Sequence, residues 1–134
     1  MQLKTSGSEE KFATGAVRDT ATDKPRPDLR SPFAAERCGV WMGLGAKRYS
    51  ERNWELGIKF SRVFASLCRH VMKYQQGLKD EDHLAAIVFN AEALMHYEVM
   101  IERGVLPPEL NDMPNYAPAP GVIPITGAAR KAQP

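Results

Sequence analysis

Proline decides where this 134-residue chain can be helical. Pro25, Pro27 and Pro32 precede residue 33, none occurs from Phe33 to Leu106, and seven of the ten prolines lie from Pro107 onward. Proline lacks an N–H donor and fixes φ, so it breaks helix interiors, and the helical body must be the middle. The expected division is an N-terminal arm over 1–30, an all-α core over 31–104 and a Pro-rich C-terminal tail over 105–134.

Three stretches of the core carry helix signals. "SPFAAERCGVWMGLGAKRY" opens with Ser31 as an N-cap and Pro32 at the first helical position. Ala34, Cys38, Trp41 and Gly45 fall on one face; Glu36, Gly39, Val40, Gly43 and Lys47 fall on another. Glycines lower helix propensity, so close packing or a ligand is expected beside that second face. "GIKFSRVFASLCRHVMKYQQG" spaces Phe60, Val63, Phe64, Leu67, Val71 and Tyr74 helically and ends on Gly77. "DEDHLAAIVFNAEALMHYEVMIERG" begins in acids, stops at Gly104, and carries a stripe of His83, Ala86, Ile87, Asn90, Leu94, Tyr97 and Ile101. His96, roughly opposite His83, reads as a surface residue. Strand signals are scarce: "GVIPIT" is short and broken by Pro124. The arm and tail read as extended or irregular, and the tail could be a linker, a packed arm or an oligomer strap. Three helices of roughly sixteen to twenty-five residues pack most simply as a bundle completed by a neighbouring subunit. A homo-oligomer, dimer or tetramer, is therefore expected.

Charge restricts the partners. With 18 basic and 16 acidic side chains the formal net charge is +2, so any anion site must be local, and a general nucleic-acid binder is not expected. Cys38 and Cys68 stand thirty apart without a CxxC pattern, and both fall in expected helices as reduced apolar side chains. The first thirty residues hold no apolar signal region, and no run approaches the roughly twenty apolar residues of a membrane span. The expected location is the cytoplasm.

Acids cluster at Glu36, at Glu51 and Glu55, and in the run Asp80, Glu81, Asp82. Carboxylates converging from separate helices repel unless a cation lies between them, and oxygen ligands suit magnesium or manganese. The alternative is that each is solvated or a helix cap. His70, His83 and Asn90 lie on otherwise apolar helix faces, where buried polar groups need partners, and together they could support metal-bound carboxylates or water. Each also reads as a satisfied core residue. A zinc site is disfavoured, since there is no HExxH and no CxxC. "GLGAKRYS" lacks P-loop spacing. Lys47, Arg48, Arg52 and Arg69, with Arg18, Lys24 and Arg26 in the arm, are candidates for phosphate oxygens. Tyr49 and Trp54 could stack on a base, or Trp54 could plug the helix junction.

Taken together, "SGSEEKFATGAVRDTATDKPRPDLRSP", "GAKRYSERNWELG", "CRH" and "DEDHLAAIVFNAEAL" resemble the phage-encoded dATP/dGTP diphosphohydrolases of the MazZ type, relatives of the MazG and HisE all-α pyrophosphohydrolases, over about residues 7 to 104. The resemblance implies a helical, oligomeric enzyme, in the host cytoplasm if phage-encoded. With magnesium or manganese it would cleave a purine deoxynucleoside triphosphate, dGTP before dATP, to the monophosphate and pyrophosphate. It implies Glu36, Glu51, Glu55 and Asp82 as the metal group, with Glu81 in reserve. Glu51, Glu55 and His70 are implied near the reacting centre, with His83 and Asn90 in support. Arg18, Lys24, Arg26, Lys47 and Arg52 would be the candidates for the β- and γ-phosphates, and Trp54 the candidate for the base. The ExxE and ExxD pairs of the wider superfamily are not reproduced, because Gly39 follows Glu36 at plus three and Ala85 follows Asp82. Two other readings are a non-enzymatic helical interaction module and an HD-like phosphohydrolase. For the latter, Glu81-Asp82-His83 has the neighbours but not the order.

Overall fold

A glycine-bearing turn folds part of the arm. In the computed structural model, which describes residues 1–122, strands β1 (Glu9–Lys11) and β2 (Val17–Asp19) pair antiparallel, Glu9 opposite Asp19 and Lys11 opposite Val17. Phe12 N donates to Ala16 O at 2.9 Å, and Gly15 takes the left-handed φ of 88° that closes the turn. The arm is expected to be extended or irregular, and this part of it is extended, but as two paired strands rather than a single run. Its strands are three residues each, too short for alternation to register, and the only signal was the glycine in a short loop. Asp19 anchors it by accepting from Ser6 N at 2.8 Å and Ser6 Oγ at 2.6 Å, while Lys24 Nζ stands 2.5 Å from its other oxygen. These residues belong to the first of two compact units, Met1–Ala35 and Glu36–Pro134.

The helices follow their start and stop signals. Helix α1 (Pro32–Tyr49) has Ser31 at its N-terminus, where Ala34 N donates to the Ser31 hydroxyl at 3.2 Å. Helix α2 (Phe60–Gln75) ends at Gly77, whose φ of 79° allows Leu78 N to reach back to Lys73 O at 3.1 Å. Helix α3 (His83–Glu102) closes in the same manner on Gly104, with Val105 N donating to Met100 O at 2.8 Å. The acid run Asp80–Asp82 precedes α3, and only Asp82 serves it, accepting from Ala85 N at 3.1 Å.

The core forms where α2 packs on α3. Phe60, Val63, Ala93, Tyr97 and Leu106 are buried together, with Trp54, Leu94, Met100, Ile101, Leu110 and Met113 against them. Burying a side chain such as Phe60 or Val63 contributes roughly 1.5–3 kcal/mol. Leu106, Leu110 and Met113 lie beyond Gly104, so the beginning of the proline-rich segment belongs to this core. A 3₁₀ turn at Pro108–Leu110 brings Leu110 onto it, and Asp112 then caps α2 by accepting from Ser61 N at 2.8 Å.

Several expected core positions are not covered. On α2, Phe64, Val71 and Tyr74 are 43%, 44% and 49% exposed, because the side that meets the core and α3 carries Phe60, Val63, Ser66 and His70. Helix α1 buries Cys38 alone, and no atom lies near the position a Cβ would take at Gly39, Gly43 or Gly45. The close packing expected beside those glycines is thus not supplied by the described residues of this chain. Helix α3, at twenty residues with a mean hydropathy of 1.3 over its most apolar window, has the length and composition of a membrane span. That amends the sequence reading. The helix is instead the centre of the core, and it holds the buried polar side chains His83 and Asn90. Residues 123–126 of "GVIPIT" lie outside the described residues.

Candidate functional site

The "GAKRYSERNWELG" stretch becomes one wall of a cavity of about 750 Å³. Helix α1 ends at Tyr49, Ser50 takes φ of 99° and Arg52 takes φ of 58°, and a 3₁₀ turn over Asn53–Leu56 follows. Two left-handed residues in three reverse the chain tightly enough to set Glu51, Arg52, Asn53, Trp54 and Glu55 on the same wall. Helix α2 supplies Arg62, Ser66, Arg69 and His70 opposite them, and α3 supplies Phe89 and Asn90. Trp41 and Tyr49 of α1 complete the lining.

Trp54 is held by packing. Its ring meets Phe89 edge-on at 5.8 Å, His96 at 4.9 Å and Tyr97 at 6.2 Å, and the buried Tyr97 hydroxyl donates to the Trp54 carbonyl. Burial raises the Tyr97 phenol above its ordinary pKa. Trp54 therefore plugs the helix junction and faces the cavity at once, and His96, read from sequence as a surface residue, is half-buried against it. Arg52 Nη1 pairs with Glu55 Oε1 at 2.6 Å. Asn90 is buried; its amide nitrogen donates to Ala86 O at 2.8 Å, one helical turn back, and stands 3.5 Å from Ser66 Oγ.

A second cavity, of about 660 Å³, adjoins the N-terminus of α3. Its lining includes Arg37, Trp41, Tyr74, Asp80, Glu81, Asp82 and His83, so Trp41 is common to both. Asp82 is fully engaged there. Arg37 Nε and Nη2 donate to its two oxygens at 2.8 and 2.7 Å, and the guanidinium holds the carboxyl down to about 2. His83, 3% exposed, has Nε2 2.9 Å from Asp80 Oδ1 and Nδ1 3.0 Å from His70 Nδ1. Burial keeps the His70 imidazole below its ordinary pKa, and the Trp41 ring packs edge-on against it at 5.7 Å.

The sequence candidates separate accordingly. Glu51, Arg52, Trp54, Glu55, His70 and Asn90 share the first cavity. Asp82 and His83 line the second. Glu36 and Lys47 are exposed on α1 and line neither, so the four acids Glu36, Glu51, Glu55 and Asp82 do not meet as one group. Among the described residues, the metal-capable group of three is instead His70, Glu81 and His83. In the first unit, Lys24 pairs with Asp19 and Arg26 with Asp28 at 2.6 Å, while Arg18 lies on β2. Trp41, Arg62 and Phe89 were not singled out from sequence as site residues. A signal existed for Arg62: with Ser66, Arg69 and His70 it forms a polar row at i, i+4, i+7 and i+8 beside the apolar edge of α2.

Comparison with known proteins identifies the family. A family model described as dATP/dGTP diphosphohydrolase, N-terminal, matches residues 14–104, which run from the hairpin turn through both cavities to the end of α3. No curated protein and no solved structure matches the chain. The matched span is more than half of the sequence and contains all the residues that line the two cavities, and so the chain is an enzyme, a nucleoside triphosphate pyrophosphohydrolase, belonging to the dATP/dGTP diphosphohydrolase family.

Proposed function

We propose that the chain hydrolyses a purine deoxynucleoside triphosphate, dGTP in preference to dATP, to the monophosphate and pyrophosphate, and that the 750 Å³ cavity is where it does so. The observation that carries this reading is the composition of that one cavity. Aromatic faces from Trp41, Tyr49, Trp54 and Phe89 stand with the guanidinium groups of Arg52, Arg62 and Arg69 and the carboxylates of Glu51 and Glu55. A flat base, a chain of phosphates and a water to be deprotonated need those three kinds of side chain, and the volume suits a nucleotide.

The chain's own residues divide the work. Arg62 and Arg69 project from one face of α2 and neutralise phosphate oxygens, with Arg52 opposite them. Glu51, which has no ion-pair partner among the described residues, takes the proton from a water attacking the α-phosphorus. The bond from that phosphorus to the bridging oxygen breaks, and pyrophosphate departs with the electron pair. Glu55 orients Arg52 through their 2.6 Å ion pair. Carboxylate oxygens in the cavity suit magnesium or manganese, and Glu51 and Glu55 are the acids placed to hold it. Such an ion supplies charge neutralisation on the triphosphate and a more acidic water. Glu36 and Asp82 stand apart from that pair.

The uncovered faces support the homo-oligomer. Val40 and Leu44 of α1 and Phe64, Val71 and Met72 of α2 are exposed apolar side chains of the kind a second copy covers. Light scattering of the purified chain should give a multiple of the 14.9 kDa subunit, and a monomeric mass overturns the assembly.

Incubating the protein with each deoxynucleoside triphosphate and either magnesium or manganese, then separating the products by chromatography, tests the reaction. Equal amounts of dGMP and pyrophosphate are expected from dGTP. Orthophosphate with a nucleoside diphosphate, or intact triphosphate with a nucleoside, overturns attack at the α-phosphorus.

A further inference from the structure

Between the two cavities three side chains bring donor atoms together. His70 lines the first cavity, Glu81 and His83 line the second, and one ligand atom from each lies within 4.8 Å of the other two. The two Nδ1 atoms are 3.0 Å apart. Imidazole nitrogens that close repel as lone pairs unless a proton or a cation is between them.

Asp80 settles which nitrogen of His83 faces the group. Its carboxylate accepts hydrogen bonds and cannot donate while ionised, and it stands 2.9 Å from His83 Nε2. His83 Nε2 therefore carries the hydrogen, which leaves the Nδ1 lone pair directed at His70 and Glu81. A carboxylate behind an imidazole, with the far nitrogen free, is the arrangement that fixes metal-ligating histidines. Glu81 is exposed, and its one competing partner among the described ion pairs is Lys73 at 3.7 Å, near the limit of an ion pair.

We propose that His70, His83 and Glu81 form a binding site for a first-row transition divalent cation of the manganese, cobalt or zinc kind, with Asp80 as the positioning residue behind His83. Two imidazole nitrogens and one carboxylate discriminate against magnesium, which prefers an all-oxygen shell rich in water. Three protein ligands leave room for a water or a phosphate oxygen. This site is separate from the carboxylate pair Glu51 and Glu55, so the proposed reaction does not depend on it.

Cobalt serves as the probe, because its visible absorption reports nitrogen ligation without any turnover. The full-length protein, titrated with cobalt and separately by calorimetry with manganese, zinc and magnesium, should bind one equivalent of each transition ion that H83Q loses, apart from any ion at Glu51 and Glu55, and that equivalent should bind at least tenfold more tightly than any magnesium H83Q also loses. H70Q and H83Q should each abolish the visible band. E81Q, an exposed change that leaves the core untouched, should weaken binding at least tenfold. D80N should weaken it roughly ten- to hundred-fold and shift the band while the helical circular dichroism stays as in the wild type. D80E should recover most of the affinity. Absence of cobalt binding, an unchanged band in H70Q and E81Q, or magnesium bound as tightly as zinc at a site that H83Q removes, overturns the site. If binding fails while dGTP is still cleaved with magnesium, this inference falls and the proposed reaction stands.

Discussion

Arg37 and Asp82 lie 45 residues apart in sequence and meet as a two-point fork, Nε to Oδ2 at 2.8 Å and Nη2 to Oδ1 at 2.7 Å. The same carboxylate accepts from Ala85 N at 3.1 Å, so Asp82 links α1 to the first turn of α3 while capping it. An acid already serving three donors is a structural group, which changes what its removal should do. D82A should lower the unfolding temperature, the lost cap alone amounting to about 1 kcal/mol. D82N keeps a capping oxygen and should lose less. R37A, which breaks only a half-exposed pair, should cost less than D82A. Thermal unfolding of the three variants ranks them; if D82A melts as the wild type does, the cap and the fork contribute nothing.

Gly57 closes the "GAKRYSERNWELG" stretch, and only glycine fits there. Its φ is 103°, and a Cβ would lie 2.8 Å from Leu110 Cδ1 and 3.2 Å from Leu106 Cδ2. G57A should destabilise the protein by roughly 2–4 kcal/mol through backbone strain and overpacking together. Adding L110A relieves the contact but not the strain, so the double variant should be more stable than the sum of the single changes implies. Denaturant unfolding of all four proteins measures that coupling. Strict additivity would mean that Leu110 is not what a Cβ at 57 meets.

The glycine and proline punctuation of the chain carried most of the fold. Ser31 with Pro32, Gly77 and Gly104 mark where α1 starts and where α2 and α3 stop, since each supplies a local requirement for a cap, a fixed φ or a left-handed residue. What could not be read was anything decided by a distant partner. The pairing of Asp82 with Arg37 spans 45 residues, and the packing of Leu106, Leu110 and Met113 on the Phe60–Tyr97 core leaves no periodic trace. The site was legible in part for the same reason. Glu51, Arg52, Trp54 and Glu55 are neighbours in sequence and stay neighbours on the cavity wall, whereas the pairing of His70 with Glu81 and His83 needs the α2–α3 turn to bring them together.

Acid should expose the attachment of the post-α3 segment. Ser61 donates its hydroxyl to Asp112 at 2.5 Å and its backbone N–H at 2.8 Å, and these bonds hold the Asp112 carboxyl below its ordinary pKa. A depressed pKa means that the folded state favours the ionised acid. Its contribution is complete above the unfolded value of about 3.9 and is lost as pH falls through the lower folded value. The wild type should therefore unfold at a higher temperature than D112A near neutral pH, and the gap should close under acid below about pH 4. A gap that stays constant across that range would show that the carboxylate's charge is not involved.

Glu51 and Glu55 stand four residues apart on one cavity wall, yet their surroundings assign them different work. Glu55 is held by Arg52 at 2.6 Å and is largely covered, while Glu51 is exposed to the cavity. A base must be ready to take a proton, and a carboxylate committed to a guanidinium is poorly placed for it. E51Q should lower kcat for dGTP cleavage by roughly 10²-fold or more with little change in KM, the loss expected when a general base is removed. E55Q releases Arg52 and should act first on KM, because the guanidinium is then no longer aimed at the phosphates. Steady-state kinetics of both variants, on protein whose circular dichroism matches the wild type, separates the two roles. A larger fall in kcat for E55Q than for E51Q would exchange them, and the water would then be activated from the Arg52 side of the cavity.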